Sequence, residues 1–138
     1  MKILIDTNVL VSALSSRSVH HWIIKELLDE KLDLFVTDEI LLEYEEILTT
    51  KYSSNVANNF LAALKQLPNV HFTYVYLRWQ LLLDKDDNKF VDCAISANAD
   101  YLVTNDKHYN ILKQINFPKV SVVTIQQFEV ITKNTKAD

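Results

Sequence analysis

The sequence predicts an α/β domain, and three observations carry that prediction. Short apolar runs such as Ile3-Leu4-Ile5, Leu34-Phe35-Val36 and Tyr101-Leu102-Val103 alternate with longer segments whose apolar residues recur at helical spacing. A chain of 138 residues with 49% apolar content suits one core, with helices packed around a sheet. No low-complexity tract, internal repeat or Pro/Gly-rich linker divides it. One domain over residues 1–131 is therefore expected, with a frayed tail over 132–138.

Each element has a local reason. Ile3-Leu4-Ile5 is a buried first strand, and a helix begins directly after it, over Thr7 to Leu14. Ser18 to Lys31 forms a second helix through Trp22, Ile23, Leu27 and Leu28, followed by the strand Leu34-Phe35-Val36. Thr37 with Asp38 and Glu39 starts a helix that runs to about Thr50, because a hydroxyl cap and first-turn acids both satisfy its amino-terminal end. Ser53 to Leu67 is helical and is stopped by Pro68, and Val70 to Tyr76 has the aromatic and β-branched content of a strand. A helix over Asn88 to Ala97 precedes the strand Tyr101-Leu102-Val103. Helix Tyr109 to Ile115, strand Val120 to Val123 and helix Ile125 to Ile131 complete the chain.

Composition removes several function classes. Glycine is absent, so neither a phosphate-binding Walker loop nor a dinucleotide fingerprint can form. Asn69, Asn98 and Asn105 take the turns or caps that glycine would otherwise fill. The single cysteine, Cys93, excludes an internal disulfide framework and a thiolate metal site, and its flanks read as a small apolar helix residue. No stretch approaches the roughly 20 apolar residues that span a bilayer. The amino terminus reads as a strand meeting an acid rather than a signal peptide, so a cytoplasmic protein away from membranes is expected.

Four acids stand out as candidates for chemistry. Asp6 closes the first strand and Asp106 lies just past a later one; ligands of open parallel sheets bind outside such carboxyl ends. Each alone also reads as a helix cap. Glu43 falls at the edge of the stripe formed by Ile40, Leu41, Tyr44, Ile47 and Leu48, although a lone helix glutamate is ordinarily a solvated charge. Asp92 shares a helix face with Asn88 and reads otherwise as a surface acid. Asp86 and Asp87 read as a solvated helix start within reach of the same place. Carboxylates gathered in one pocket repel unless cations join them, and Mg²⁺ or Mn²⁺ prefers oxygen ligands. Two such ions about 3.5–4 Å apart can activate water and stabilise the leaving oxygen in phosphodiester cleavage. The net charge of -4 does not itself point to nucleic acid. With Asp6, Glu43, Asp92 and Asp106 set aside as ligands, acids and bases are equal in number, and bound cations would reverse the local field.

These residues sit in three landmarks: Ile3-Leu4-Ile5-Asp6-Thr7-Asn8-Val9-Leu10, Val36-Thr37-Asp38-Glu39-Ile40-Leu41-Leu42-Glu43 and Ala99-Asp100-Tyr101-Leu102-Val103-Thr104-Asn105-Asp106. In this order and spacing the sequence resembles the PIN-domain family, in particular the bacterial toxin branch of toxin–antitoxin pairs related to the VapC toxins. The resemblance runs along nearly the whole chain. It implies a three-layer α/β/α fold with a central, mainly parallel sheet. It also implies Mg²⁺ or Mn²⁺ at a carboxylate cluster, two ions per site, and hydrolysis of RNA that leaves a 5′-phosphate. Asp6, Glu43 and Asp106 carry over as the acidic residues, with Thr7, Asn8, Thr104, Asn88 and Asn105 in support. The third family acid stays open: many relatives have Asp where this chain has Asn88, and Asp92, one helical turn on and on the same face, is expected to supply the missing charge, with Asp87 as the weaker alternative. Asn98 and Asn105 stand where relatives often have glycine. A small antitoxin covering the pocket and a homodimer through an apolar helix surface are further implications.

Other readings are weaker. His20 and His21 lack a third histidine at metal-ligand spacing and read as helix surface. Trp22, Trp79 and the tyrosines read as core or edge, and nothing fixes the direction of Lys89, Lys107 or His108. A haloacid dehalogenase-type phosphatase requires a general acid two residues after Asp6, where Asn8 stands, and a receiver domain requires an acid beside Asp6. The alternative of a different class is a PIN-like module that binds RNA or a protein without cutting.

Overall fold

The protein is described by a computed structural model covering residues 1–137. Five parallel strands, β1 (Lys2–Ile5), β2 (Asp33–Val36), β3 (Val70–Phe72), β4 (Tyr101–Val103) and β5 (Val122–Val123), form one sheet in the order β3-β2-β1-β4-β5. Helices α1 (Thr7–Leu14), α2 (Trp22–Leu28), α3 (Asp38–Lys51), α4 (Ser54–Gln66), α5 (Asn88–Ala97) and α6 (Ile125–Ala137) complete a three-layer α/β/α fold, with a 3-10 helix over Lys107–Gln114. Ile3, Leu4 and Ile5 are all inaccessible to solvent because β1 is the central strand and is covered on both faces. Each such side chain contributes about 1.5–3 kcal/mol of burial.

Capping fixes the helix boundaries. The Thr37 hydroxyl accepts from the Ile40 amide at 3.2 Å and the Ser53 hydroxyl from the Val56 amide at 3.1 Å. Asn98 closes α5 in left-handed backbone, with φ 52° and ψ 48°. Of the three asparagines expected in turns or caps, it is the one with positive φ. Asn69 lies in the turn before β3 and donates to the carbonyls of Leu27 and Leu32, and Asn105 accepts from the Ile125 amide at the start of α6.

Five element boundaries differ from the sequence expectation. The helix expected over Ser18 to Lys31 is confined to α2, because Ser18 caps a turn ahead of it and Glu30 turns left-handed behind it, at φ 62°. The strand expected over Val70 to Tyr76 ends at Phe72. At this edge β3 pairs only with β2, whose last register is Val36 with Phe72, so the chain beyond has no ladder to continue. The helix expected over Tyr109 to Ile115 is the 3-10 helix and starts earlier, because the Asp106 carboxylate accepts from the His108 amide. The last strand is limited to the two positions that pair with Leu102 and Val103. Finally α6 continues past Ile131 to Ala137, where Thr132 is buried and Lys136 pairs with Glu26. Asp138, the last residue of the expected frayed tail, lies outside the described residues.

The order β3-β2-β1-β4-β5 has a consequence for function. The chain leaves β1 toward β2 and later returns to β4 on the opposite side, so the strand order reverses between the carboxyl ends of β1 and β4. Crevices at such points are where open α/β sheets bind ligands.

Candidate active site

Asp6 and Asp106 both lie at this reversal. The Asp6 amide continues the ladder by donating to the Val103 carbonyl at 3.0 Å, which places its side chain at the mouth between β1 and β4. Its carboxylate is 6% exposed and accepts from the Thr104 hydroxyl at 2.8 Å. Thr104 also accepts from the Asp106 amide at 3.0 Å, so one hydroxyl joins the two acid-bearing turns. Burial pushes the Asp6 carboxyl above its ordinary value; the Thr104 hydrogen bond opposes this, and the charges of Glu43 and Asp106 add to it.

Glu43 approaches from α3. It takes the Thr7 hydroxyl on one oxygen and the Lys89 ammonium, at 2.7 Å, on the other. Both members of that ion pair are largely shielded, so Lys89 is turned inward from α5 rather than out to solvent. No sequence signal distinguished Lys89 from an ordinary surface lysine; its partner lies on another helix.

The two rivals for the remaining acid point to different places. Asp87 precedes α5, and burial, together with the neighbouring Asp84, raises its carboxyl to about 6; Asp6 and Asp106 push it the same way. Asp92 is one turn into α5, is 3% exposed and accepts from the Trp79 amide at 3.1 Å. Its electrostatic neighbours are Arg78 and Glu39, and it lines a separate cavity of about 160 Å³ at the start of α3. Asp6 and Asp106 thus count among the electrostatic neighbours of Asp87, whereas those of Asp92 are Arg78 and Glu39. Asn88 serves the segment preceding α5: its amide accepts from the Leu82 amide at 2.9 Å and donates to the Leu82 carbonyl at 3.1 Å. A carboxylate at that position would lack the donor.

Tyr109 is a residue that sequence reasoning passed over. The 3-10 turn that starts at Asp106 buries its ring completely, and its hydroxyl lies against the Asp87 carboxyl without forming a well-aligned hydrogen bond. Burial, reinforced by Asp6, Asp87 and Asp106, holds the phenol far above its ordinary range. The available signal was a tyrosine one turn after Asp106, but such a residue reads equally well as core.

Beside Asp6 and Asp106 opens a cavity of about 450 Å³ whose lining includes Asn8, Ser12, His20 and Asn105. Asn8 lines this cavity from the start of α1, and His20 reaches it from the turn before α2. Among the described residues, no three His, Cys, Asp or Glu side chains are gathered closely enough to hold a metal ion. Thr104 engages Asp6, Lys89 engages Glu43, and His108 engages Asp106 through both its amide and its imidazole. The donor chemistry nevertheless fits a hard cation, since the set is oxygen throughout and its acids already raise one another's affinity for a proton.

Comparison with known proteins gives concordant results. A family profile described as PIN domain matches residues 2–108. Among solved structures, the fold is similar to VapBC2 from Rickettsia felis, solved bound to a DNA fragment from its promoter, at 19% identity over 90% of this chain and 98% of that chain, with a TM-score of 0.64. It is also similar to VapC20 from Mycobacterium tuberculosis, a toxin that cleaves the sarcin-ricin loop, at 16% identity over 78% and 92% of the respective chains, with a TM-score of 0.58. VapBC-1 from nontypeable Haemophilus influenzae aligns at 15% identity over 91% and 99%, with a TM-score of 0.62. At these identities the likeness is one of fold. Comparison with curated proteins found no match.

Proposed function

The chain belongs to the PIN-domain family, and from that premise we propose that it is a metal-dependent endoribonuclease, the toxin of a toxin–antitoxin pair. The observation that carries this reading is that Asp6 and Asp106 lie at the strand-order reversal and act electrostatically on Asp87, with Glu43 also acting on Asp6. Carboxylates that repel one another are unfavourable for folding alone, and a shared cation would offset that cost.

In this reading Asp6, Asp87 and Asp106 would hold Mg²⁺ or Mn²⁺, with Glu43, which is paired with Lys89, as a further candidate. The bound ions supply Lewis acidity and an activated water for attack on phosphorus. Water adds to the phosphate, the bond to the 3′-oxygen breaks, and the products carry a 5′-phosphate and a 3′-hydroxyl. Thr104 keeps the Asp6 and Asp106 carboxylates in fixed relation. Lys89, now paired with Glu43, would offer the site a positive charge for a phosphate oxygen. Asn8, Ser12 and His20 offer hydrogen bonds to the nucleotide along the adjoining cavity. Asp92 serves the fold by holding the segment at Trp79. An antitoxin covering the cavity and a homodimer belong to the same proposal. The VapC20 likeness supports the ribonuclease part, and the VapBC likenesses support the pairing. No described helix is long and apolar enough to cross a membrane.

A second reading is favoured by the Lys89–Glu43 pair: an ammonium seated on one of the acids is what a binding module without catalysis would retain. Cleavage of structured and single-stranded RNAs with Mg²⁺ or Mn²⁺, with EDTA controls, separates the two. The nuclease cuts only with metal, loses cutting in Asp6→Asn and Asp87→Asn, and keeps it in Asp92→Asn wherever that variant stays folded. A folded wild type inert on all substrates, yet retaining RNA in a binding assay, would support the module instead.

A further inference from the structure

Tyr109 has a feature that core packing does not explain. Its hydroxyl is fully buried and lies against Asp87 without a well-aligned hydrogen bond, although the ring would fill the same space as phenylalanine. A buried hydroxyl left unpaired is destabilising, and native proteins keep few of them. This one is also aimed: it lies beside Asp87, and Asp6 and Asp106 both act on it. Its backbone is fixed by the same turn, since the Tyr109 amide donates to the Asp106 carbonyl at 3.3 Å and the Asp106 side chain caps that turn.

We propose that Tyr109 is a positioning residue for the acid cluster, whose hydroxyl donates to the Asp87 carboxylate and fixes its orientation when a divalent cation is held there. The proposal rests on the metal-site reading given above. A phenol donates to a carboxylate oxygen, so the contact would restrict the rotation of the Asp87 side chain. Groups that orient a ligating carboxylate in this way commonly change metal affinity by about 10–100-fold when removed.

The test is Mn²⁺ titration by calorimetry of wild type, Tyr109→Phe, Asp87→Asn and the double variant, with thermal unfolding of each in EDTA. Tyr109→Phe should unfold at the same or a higher temperature than wild type in EDTA, yet bind Mn²⁺ about 10–100-fold more weakly. In the Asp87→Asn background the same substitution should cost nothing further, because its effect passes through Asp87. Unchanged Mn²⁺ affinity in Tyr109→Phe would overturn the proposal while leaving the metal site standing. So would an additive loss in the double variant, or an unfolding temperature that falls in Tyr109→Phe, which would show the hydroxyl already paired in the fold. A wild type that binds no Mn²⁺ would remove the metal site itself, and Tyr109's role with it.

Discussion

Replacing Asp87 with asparagine should make the protein more stable in EDTA near neutral pH. The Asp87 carboxyl sits at about 6 in the folded chain, against an ordinary value of 3.8. Between those values the folded chain keeps a proton that the unfolded chain has lost, so stability falls as pH rises through that window and stays at the lower level above it. Below about pH 4 both states are protonated and the penalty disappears. The difference corresponds to a ceiling of about 3 kcal/mol. Solvent screening at this partly exposed side chain reduces that to roughly half. The amino-terminal end of α5 favours a negative charge at Asp87 by a further 0.3–1 kcal/mol or so, in the opposite sense. A net gain of about 1 kcal/mol remains for Asp87→Asn, or a rise of about 3–5 °C in unfolding temperature for a chain of this size. Calorimetric unfolding in EDTA at near-neutral pH and again near pH 4 tests it. A gain that is the same at both pH values, or a loss at neutral pH, would show that the carboxylates do not strain the fold.

Other substitutions probe separate parts of the site. Lys89→Met removes the ammonium that occupies Glu43, so Mn²⁺ affinity measured by calorimetry should rise severalfold while stability falls by about 1–3 kcal/mol, as expected when one member of a shielded ion pair is lost. Asn88→Asp loses the donor to the Leu82 carbonyl and adds another acid, costing about 1–2 kcal/mol; proteolysis across residues 73–87 should accelerate, with no gain in Mn²⁺ affinity. Asn98→Ala places a Cβ-bearing residue that lacks asparagine's local hydrogen bonding in left-handed backbone, and denaturant titration should find it about 1 kcal/mol less stable.

The parts of the fold legible in the sequence are those governed by local chemistry. Thr37 and Ser53 cap helices where a hydroxyl precedes an amphipathic run, and α5 runs from Asn88 to Ala97 because Asn98 can turn left-handed. What could not be read depends on partners distant in the chain. Val70 to Tyr76 has strand composition throughout, but only the length of β2 decides where pairing stops. The site divides the same way. The placement of Asp6 and Asp106 at strand ends was readable, whereas the directions taken by Asp87 and Asp92 turn on which side of the α5 start faces β1. Helical periodicity puts Asn88 and Asp92 on one face, and the structure places that face against the segment at Trp79 and Leu82 instead. Asp87 lies before the first helical turn, where periodicity gives no direction.

The acids of the site differ in how firmly the fold holds them. Asp6 and Thr104 are tied by their own amides into the central ladder, at 3.0 Å to Val103 and 2.9 Å to Val123, where opening requires most of the sheet to come apart. Asp87 and Asn88 are held at the backbone by single-turn bonds of 3.3 Å to Asp84 and Lys85, at the end of a long irregular run. Amide hydrogen exchange should therefore be slow on one wall of the crevice and fast on the other. Binding to such a crevice orders only the loose wall, so its entropy cost falls on the residues leading into α5, and rigidity introduced there would tighten binding without adding a contact.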